Sequence, residues 1–109
     1  MTDSRLLPMF PLSLTLLPGM ALPLRLFEPR YLQMYADIID DDREFGVVLI
    51  QRGVESQDSS PTYDIGCVAY IVGSGIHEDG NIALVAIGRN RLRVVEWQES
   101  DPYPLAIVE

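Results

Sequence analysis

Lysine is absent from this 109-residue sequence: all eight basic residues are arginine, at positions 5, 25, 30, 43, 52, 89, 91 and 93. That removes every chemistry that needs a lysine amine, including a Schiff base, a Ser–Lys dyad and the lysine of a phosphate-binding loop. Cysteine occurs once, at Cys67, so there is no internal disulfide and no cysteine spacing for a metal site. Histidine and tryptophan also occur once each, as His77 and Trp97. Basic charge is scarce: sixteen acidic residues against eight basic give a net charge of −8. A nucleic-acid binder needs a basic footprint to displace counterions, so that class of partner is excluded. No uninterrupted apolar run approaches the length of a membrane span. The leucine-rich stretch from Leu6 to Leu17 follows Arg5 like a leader peptide, but Pro8 and Pro11 break it and Asp3 sits where a leader is basic. A reducing, cytoplasmic setting fits this composition best.

What is present suits one small domain, 48% hydrophobic and 22% charged. Most of it has the periodicity of short strands. Leu12, Leu14 and Leu16 alternate with polar residues, and Pro18-Gly19 then supplies turn chemistry. Leu22, Leu24 and Leu26 alternate again around Pro23, which lacks a ladder donor and belongs at a sheet edge or beside a bulge. Strands are also expected over 45–50, 65–72 (central, carrying Cys67), 82–87, 91–97 and 105–108. Turns are expected at Asp79-Gly80 and at Gly88-Arg89-Asn90, and a loop over 53–62. Glu96 would fall on the apolar face of Leu92 and Val94, which suggests a bulge near Val95.

One helix interrupts this pattern. Pro29 suits its first turn, and Tyr31, Leu32, Met34, Tyr35, Ile38 and Ile39 recur at spacings of three and four. Asp40-Asp41-Asp42 places negative charge at the end where the helix dipole disfavours it, so the helix stops there. Leu32, Tyr35 and Ile39 are expected to face Leu24, Val48 and Ile71. The fold class is therefore mainly β with some α: a twisted, partly closed antiparallel sheet or pseudo-barrel of about six or seven short strands with one inserted helix.

The chemistry-bearing residues are sparse. Gly73-Ser74-Gly75 is expected to belong to the turn that follows and opens no helix, so it is no phosphate loop. His77-Glu78-Asp79 is a turn tip, and Cys67 lies among apolar neighbours that make a thiol inert. No catalytic residue, metal site or cofactor is expected. The unusual feature is the strand Arg91-Leu92-Arg93-Val94-Val95-Glu96-Trp97, whose outer face would carry Arg91, Arg93, Val95 and Trp97, a composition suited to protein contact. Leu105 and Ile107 add apolar surface beside it, and an open sheet edge at the final strand would offer backbone groups to a partner. Arginine and tryptophan there would favour acidic or aromatic partners.

The order of segments resembles a known family. Phe10-Pro11-Leu12, Leu17-Pro18-Gly19-Met20 and Leu24-Arg25-Leu26-Phe27-Glu28-Pro29-Arg30-Tyr31 are similar to the opening of the LON substrate-binding domain. This domain is the N-terminal module of ATP-dependent Lon proteases and is found also in cereblon and in stand-alone proteins. Ile65-Gly66-Cys67-Val68 and Gly88-Arg89-Asn90-Arg91-Leu92-Arg93-Val94 are similar to its later segments, in the same order. The resemblance implies a sheet packed on one helix and a non-catalytic module over 1–109 that binds unfolded or extended polypeptide. The family's helical subdomain is not in this sequence, so a trimmed stand-alone member or a fragment is expected. Self-association through sheet edges, and a part in an ATP-dependent peptidase, are the competing readings.

The purified protein should leave denatured casein intact. Turnover abolished by Cys67→Ala or His77→Ala would contradict this.

Overall fold

The computed structural model describes residues 3–51 and 61–109. Six strands and one helix follow in the order β1 (Arg5–Leu12), β2 (Ala21–Leu26), α1 (Pro29–Ile38), β3 (Glu44–Ile50), β4 (Thr62–Ile76), β5 (Ile82–Gln98) and β6 (Leu105–Val108). The expected loop over 53–62 falls mostly outside the described residues.

The sheet runs β2-β5-β4-β3-β1-β6, and β6 pairs back onto the end of β5. The ring β5-β4-β3-β1-β6 is thus closed, while β2 extends the other end of β5 as an open arm. One pairing departs from the expected antiparallel sheet: β1 and β3 run parallel. The first strand also lies earlier than the leucine alternation indicated. Arg5–Pro8 pairs with β6, and Met9–Leu12 pairs with β3. Each half of β1 is therefore laddered mainly on one side, which gives Pro8 and Pro11 room despite their missing N–H groups. The Met9 N–H donates to Pro104 O, so the same-sided backbone nitrogen of Pro11 faces away from β3. Leu16 is buried, but from a connecting segment and not from a strand. Pro23 lies on the outermost strand β2, as its missing donor required.

Two hydrophobic cores lie on opposite faces of this curled sheet. One contains Phe10, Phe45, Val47, Cys67, Ala69, Ile71, Ile82, Leu84 and Ala86 under the helix residues Met34 and Ile38. The other fills the ring with Leu7, Met9, Val48, Val68, Leu92, Val94, Ala106 and Val108. Adjacent residues divide between them, as period-two geometry requires: Met9 from Phe10, Val47 from Val48, Cys67 from Val68. Phe10 meets Tyr31 edge-to-face at 4.4 Å, joining β1 to the helix. Val48 does not face the helix; it belongs to the ring. On the helix, Met34 and Ile38 are buried, whereas Leu32, Tyr35 and Ile39 are partly buried around them.

Strand β5 sends one alternate set of residues to both cores because its register shifts. Cys67 is opposite Arg91 and Ala69 opposite Gly88, so β5 carries one extra residue between them. The segment expected to turn at Gly88-Arg89-Asn90 is this bulge in a continuous strand. It moves the even-numbered residues from the helix side (Leu84, Ala86) to the ring interior (Leu92, Val94). Glycine at position 88 lets the segment before β2 cross closely: the Gly19 N–H donates to Gly88 O at 2.7 Å, and the Gly88 N–H donates to Met20 O at 2.9 Å. A Cβ at Gly88 would lie 2.2 Å from the backbone oxygen of Leu17. The hairpin expected at Asp79-Gly80 is present, with Gly80 at φ +87°.

The helix end has a device that composition did not reveal. Arg43 adopts φ 61°, its N–H donates to Ile38 O, and its Nε donates to Ile39 O at 3.0 Å. A guanidinium thus satisfies helix carbonyls directly behind the acidic run.

Ile38→Ala should cost about 2–5 kcal/mol in chemical denaturation, whereas Ile39→Ala should cost about 1 kcal/mol or less. Gly88→Ala should cost more than about 2 kcal/mol, because its clash is with backbone. Equal losses at positions 38 and 39 would contradict the assigned packing.

Candidate functional site

The residues singled out in the sequence do not form one patch. Directly paired residues of antiparallel strands share a face. Arg93 is opposite Ile65 and Arg91 opposite Cys67, so both arginines lie on the outer side of the ring. The bulge anticipated near Val95 is real: Val94 pairs with Val108, but Glu96 pairs with Ile107. It rephases the strand so that Trp97 pairs with Ala106, a ring-core residue. Trp97, 39% exposed, therefore faces away from Arg91 and Arg93. Leu105 and Ile107 share the face of Gln98 and Glu96, and both are half-buried. The open edge expected at the final strand is also absent, because β6 is hydrogen-bonded to β1 on one side and β5 on the other.

Among the described residues, Arg5, Arg25, Arg89 and Arg93 are occupied by this chain's own carboxylates. Glu44 accepts from Arg5 Nη2 at 2.7 Å and Arg89 Nη1 at 3.0 Å, and Arg89 also stacks 3.8 Å from the Tyr70 ring centroid. Arg25 faces Asp79 at 3.4 Å, and Arg93 is bonded to the Glu109 carboxylate. Arg91 has no side-chain partner among the described residues. The expected preference for acidic partners therefore narrows from an arginine strip to one guanidinium.

The apolar surface beside it was not anticipated. Thr15, Leu49, Tyr63, Asp64, Ile65 and Gly66 line a groove of about 330 Å³. Tyr63 is 49% and Ile65 53% exposed, which is unusual for large side chains on a strand that is buried further along. Ile65 also borders a shallow cleft formed with Arg91, Leu92, Arg93 and Glu109. It is the ridge between the two depressions. The sequence signal was Tyr63 and Ile65 flanking Asp64 ahead of the buried run, but nothing local shows which end of a strand emerges from the core.

The polar residues weighed for catalysis stay apart. Cys67 is fully buried; burial pushes its thiol pKa up, against the lowering effects of a backbone hydrogen bond at Arg89 and the charge of Arg91. His77 sits at the hairpin, where its N–H donates to Asn81 O. Gly73-Ser74-Gly75 is not in the turn expected there: all three are laddered to β5 inside β4, and Ser74 Oγ is 2.6 Å from the Tyr35 hydroxyl. No group of three or more metal-ligating side chains occurs among the described residues, and no described helix is long and apolar enough to cross a membrane.

The Tyr103 hydroxyl donates to Asp37 Oδ2 at 2.7 Å, tying the segment before β6 to α1. Burial, then the Asp37 hydrogen bond and charge, push the Tyr103 phenol up to about 12.

The sequence profile of the ATP-dependent protease La (LON) substrate-binding domain matches residues 6–109. The Lon protease of Dictyoglomus thermophilum is 32% identical over 104 residues, which cover 94% of this chain and 13% of that protein. Cereblon of Danio rerio is 35% identical over 95 residues, 81% of this chain and 21% of that one. This chain thus spans only a small part of the curated relatives it matches. The crystal structure of a Lon N-terminal domain protein from Xanthomonas campestris superposes with a TM-score of 0.80 at 33% identity, covering 96% of this chain and 59% of that one. The N-terminal domain of a Mycobacterium avium complex Lon protease, 22% identical with a TM-score of 0.61, shares the fold.

Because the folded phenol titrates above its unfolded value, its stabilising effect is full below pH 10 and is lost as pH rises through about 12. Tyr103→Phe should lower stability at neutral pH by about 1 kcal/mol and flatten that alkaline decline. Alkaline denaturation profiles that coincide for wild type and variant would contradict the assignment.

Proposed function

Because this chain belongs to the LON substrate-binding domain family, we propose that it is a non-catalytic module that binds unfolded or extended polypeptide. The observation that carries this reading is the match over residues 6–109, which falls on a substrate-binding domain and on no ATPase or protease segment. The 109 residues contain no phosphate-binding loop and, lacking lysine, no Ser–Lys pair. The geometry supports the same reading, because its exposed apolar groove lies on a two-core scaffold. Of the residues named from sequence, Arg91 and Arg93 border this region, Leu105 and Ile107 lie half-buried near the end of the ring, and Trp97 would serve a separate surface.

Self-association through sheet edges has weaker support. With β6 paired on both sides, β2 is the outermost strand, and Pro23 removes a donor from its middle. A cytoplasmic setting is part of this proposal; a single buried thiol and the family relationship suit a reducing compartment.

Fluorescence anisotropy with labelled, reduced and alkylated lactalbumin should show saturable binding at micromolar concentration, while a native globular control shows none. Failure to bind at high micromolar concentration would overturn the reading. Trp97→Ala should leave the affinity within about twofold, since that side chain lies on another surface.

A further inference from the structure

We propose that the groove on β4 seats an apolar side chain of an extended polypeptide, and that an acidic residue two positions along that polypeptide meets Arg91. This deepens the polypeptide-binding reading and rests on it. The first observation is which side chains share the face. Ile65 is opposite Arg93, and Cys67 is opposite Arg91, so Ile65 and both arginines lie on the outer side of the ring. Tyr63, two residues before Ile65, lies on the same side; Asp64 between them has the opposite parity and takes no part. Tyr63 and Ile65 are about half exposed and line the groove with Leu49 and Thr15, so it accepts an apolar group.

The second observation is charge. Ile65 also borders the cleft that holds Arg91 and Arg93, so a segment seated in the groove passes over Ile65 to reach the arginines. Arg91 has no side-chain partner among the described residues, whereas Arg93 is held by the Glu109 carboxylate. That pair shows how an arginine of this face is met. Glu109 and Arg93 exchange backbone N–H to O bonds of 2.8 and 2.9 Å, while the Glu109 carboxylate takes the guanidinium. Arg91 offers the same chemistry to a second carboxylate. The spacing follows from sheet geometry. The groove lies on the β3 side of Ile65 and Arg91 on the β5 side, a separation of about one and a half interstrand spacings, roughly 7 Å. Residues i and i+2 of an extended chain are about 7 Å apart and point the same way. A carboxylate two positions from the seated side chain therefore reaches Arg91. An exposed ion pair of this kind selects among apolar segments more than it recruits them. The net charge of −8 repels any acidic segment at long range, so the selection is read between peptides of equal charge.

The test uses two peptides of identical composition, each with one phenylalanine as its large apolar residue and one glutamate, placed either two or six positions away. Chemical-shift titrations up to millimolar peptide give the affinities. The wild-type chain should bind the two-position peptide about threefold more tightly, the size an exposed ion pair supplies, and the difference should shrink at high salt. Arg91→Gln should erase the difference. Arg91→Glu should transfer it to the matching peptides that carry lysine in place of glutamate. Ile65→Ser and, independently, Tyr63→Ser should each weaken both peptides about threefold or more while near-ultraviolet circular dichroism stays native. Equal affinity of the wild type for the two peptides, binding of neither, a difference that survives Arg91→Gln, or undiminished binding in both serine variants overturns this site while leaving the broader reading intact. Failure of the wild type to bind unfolded lactalbumin overturns both. Sedimentation as a dimer that Ile65→Ser dissolves would show that a second copy fills the groove, and overturns the peptide proposal.

Discussion

Strand β5 has to serve two cores with one set of alternate residues, and most of the architecture follows from how it does so. β5 runs unbroken from Ile82 to Gln98. A strand without a bulge keeps one set of alternate residues on one face throughout, so that set could feed only one core. The extra residue beside Gly88 switches the inward set from the helix side to the ring interior, and the shift at Val95 switches it again. The first switch allows Ile82, Leu84 and Ala86 to lie under α1 while Leu92 and Val94 fill the ring. The second turns Trp97 toward the side of Ala106. Gly88 makes this possible at its tightest point, since the preceding segment crosses where any side chain would strike the Leu17 carbonyl.

The same arrangement determines what the surface can do. The ring consumes β6 on both sides, so strand addition at that end has no free backbone to use. The arginines, conspicuous in sequence, are largely spent on internal pairs: Glu44 alone engages Arg5 and Arg89. Exposed pairs of this kind contribute modestly to stability, but they remove positive charge from the recognition surface. What remains is an apolar groove beside one arginine unpaired among the described residues, where the outer face of β4 leaves the cover of the helix. Function would then come from where the cores stop, a place set by topology and not by any catalytic motif.

Much of the fold was legible because it rests on local chemistry. Pro29 and the three-and-four spacing marked the helix, Asp79-Gly80 the hairpin, and Pro23 an edge strand. The bulge at Val95 was visible because Glu96 would otherwise have faced the core. The errors arose where tertiary context decided. Pro8 and Pro11 looked like interruptions, yet a strand that changes partner midway tolerates them. Gly88-Arg89-Asn90 has turn composition, but a bulge and a close chain crossing demand the same residue types. The site was least legible. Ile65 and Ile71 look alike in sequence, but one is 53% exposed and the other fully buried, and only the three-dimensional limit of the helix-side core separates them.

The central claim is that a non-catalytic scaffold presents polypeptide-binding surface on the outer side of β4. Backbone chemical-shift mapping of the isotopically labelled chain, titrated with an unfolded polypeptide, tests it most directly. The account predicts saturable shifts concentrated at Thr15, Leu49, Tyr63 to Gly66 and Arg91, with the ring interior and β2 undisturbed. Shifts confined to β2, to the hairpin at Asp79-Gly80 or to Trp97, or none at saturating polypeptide, would contradict it.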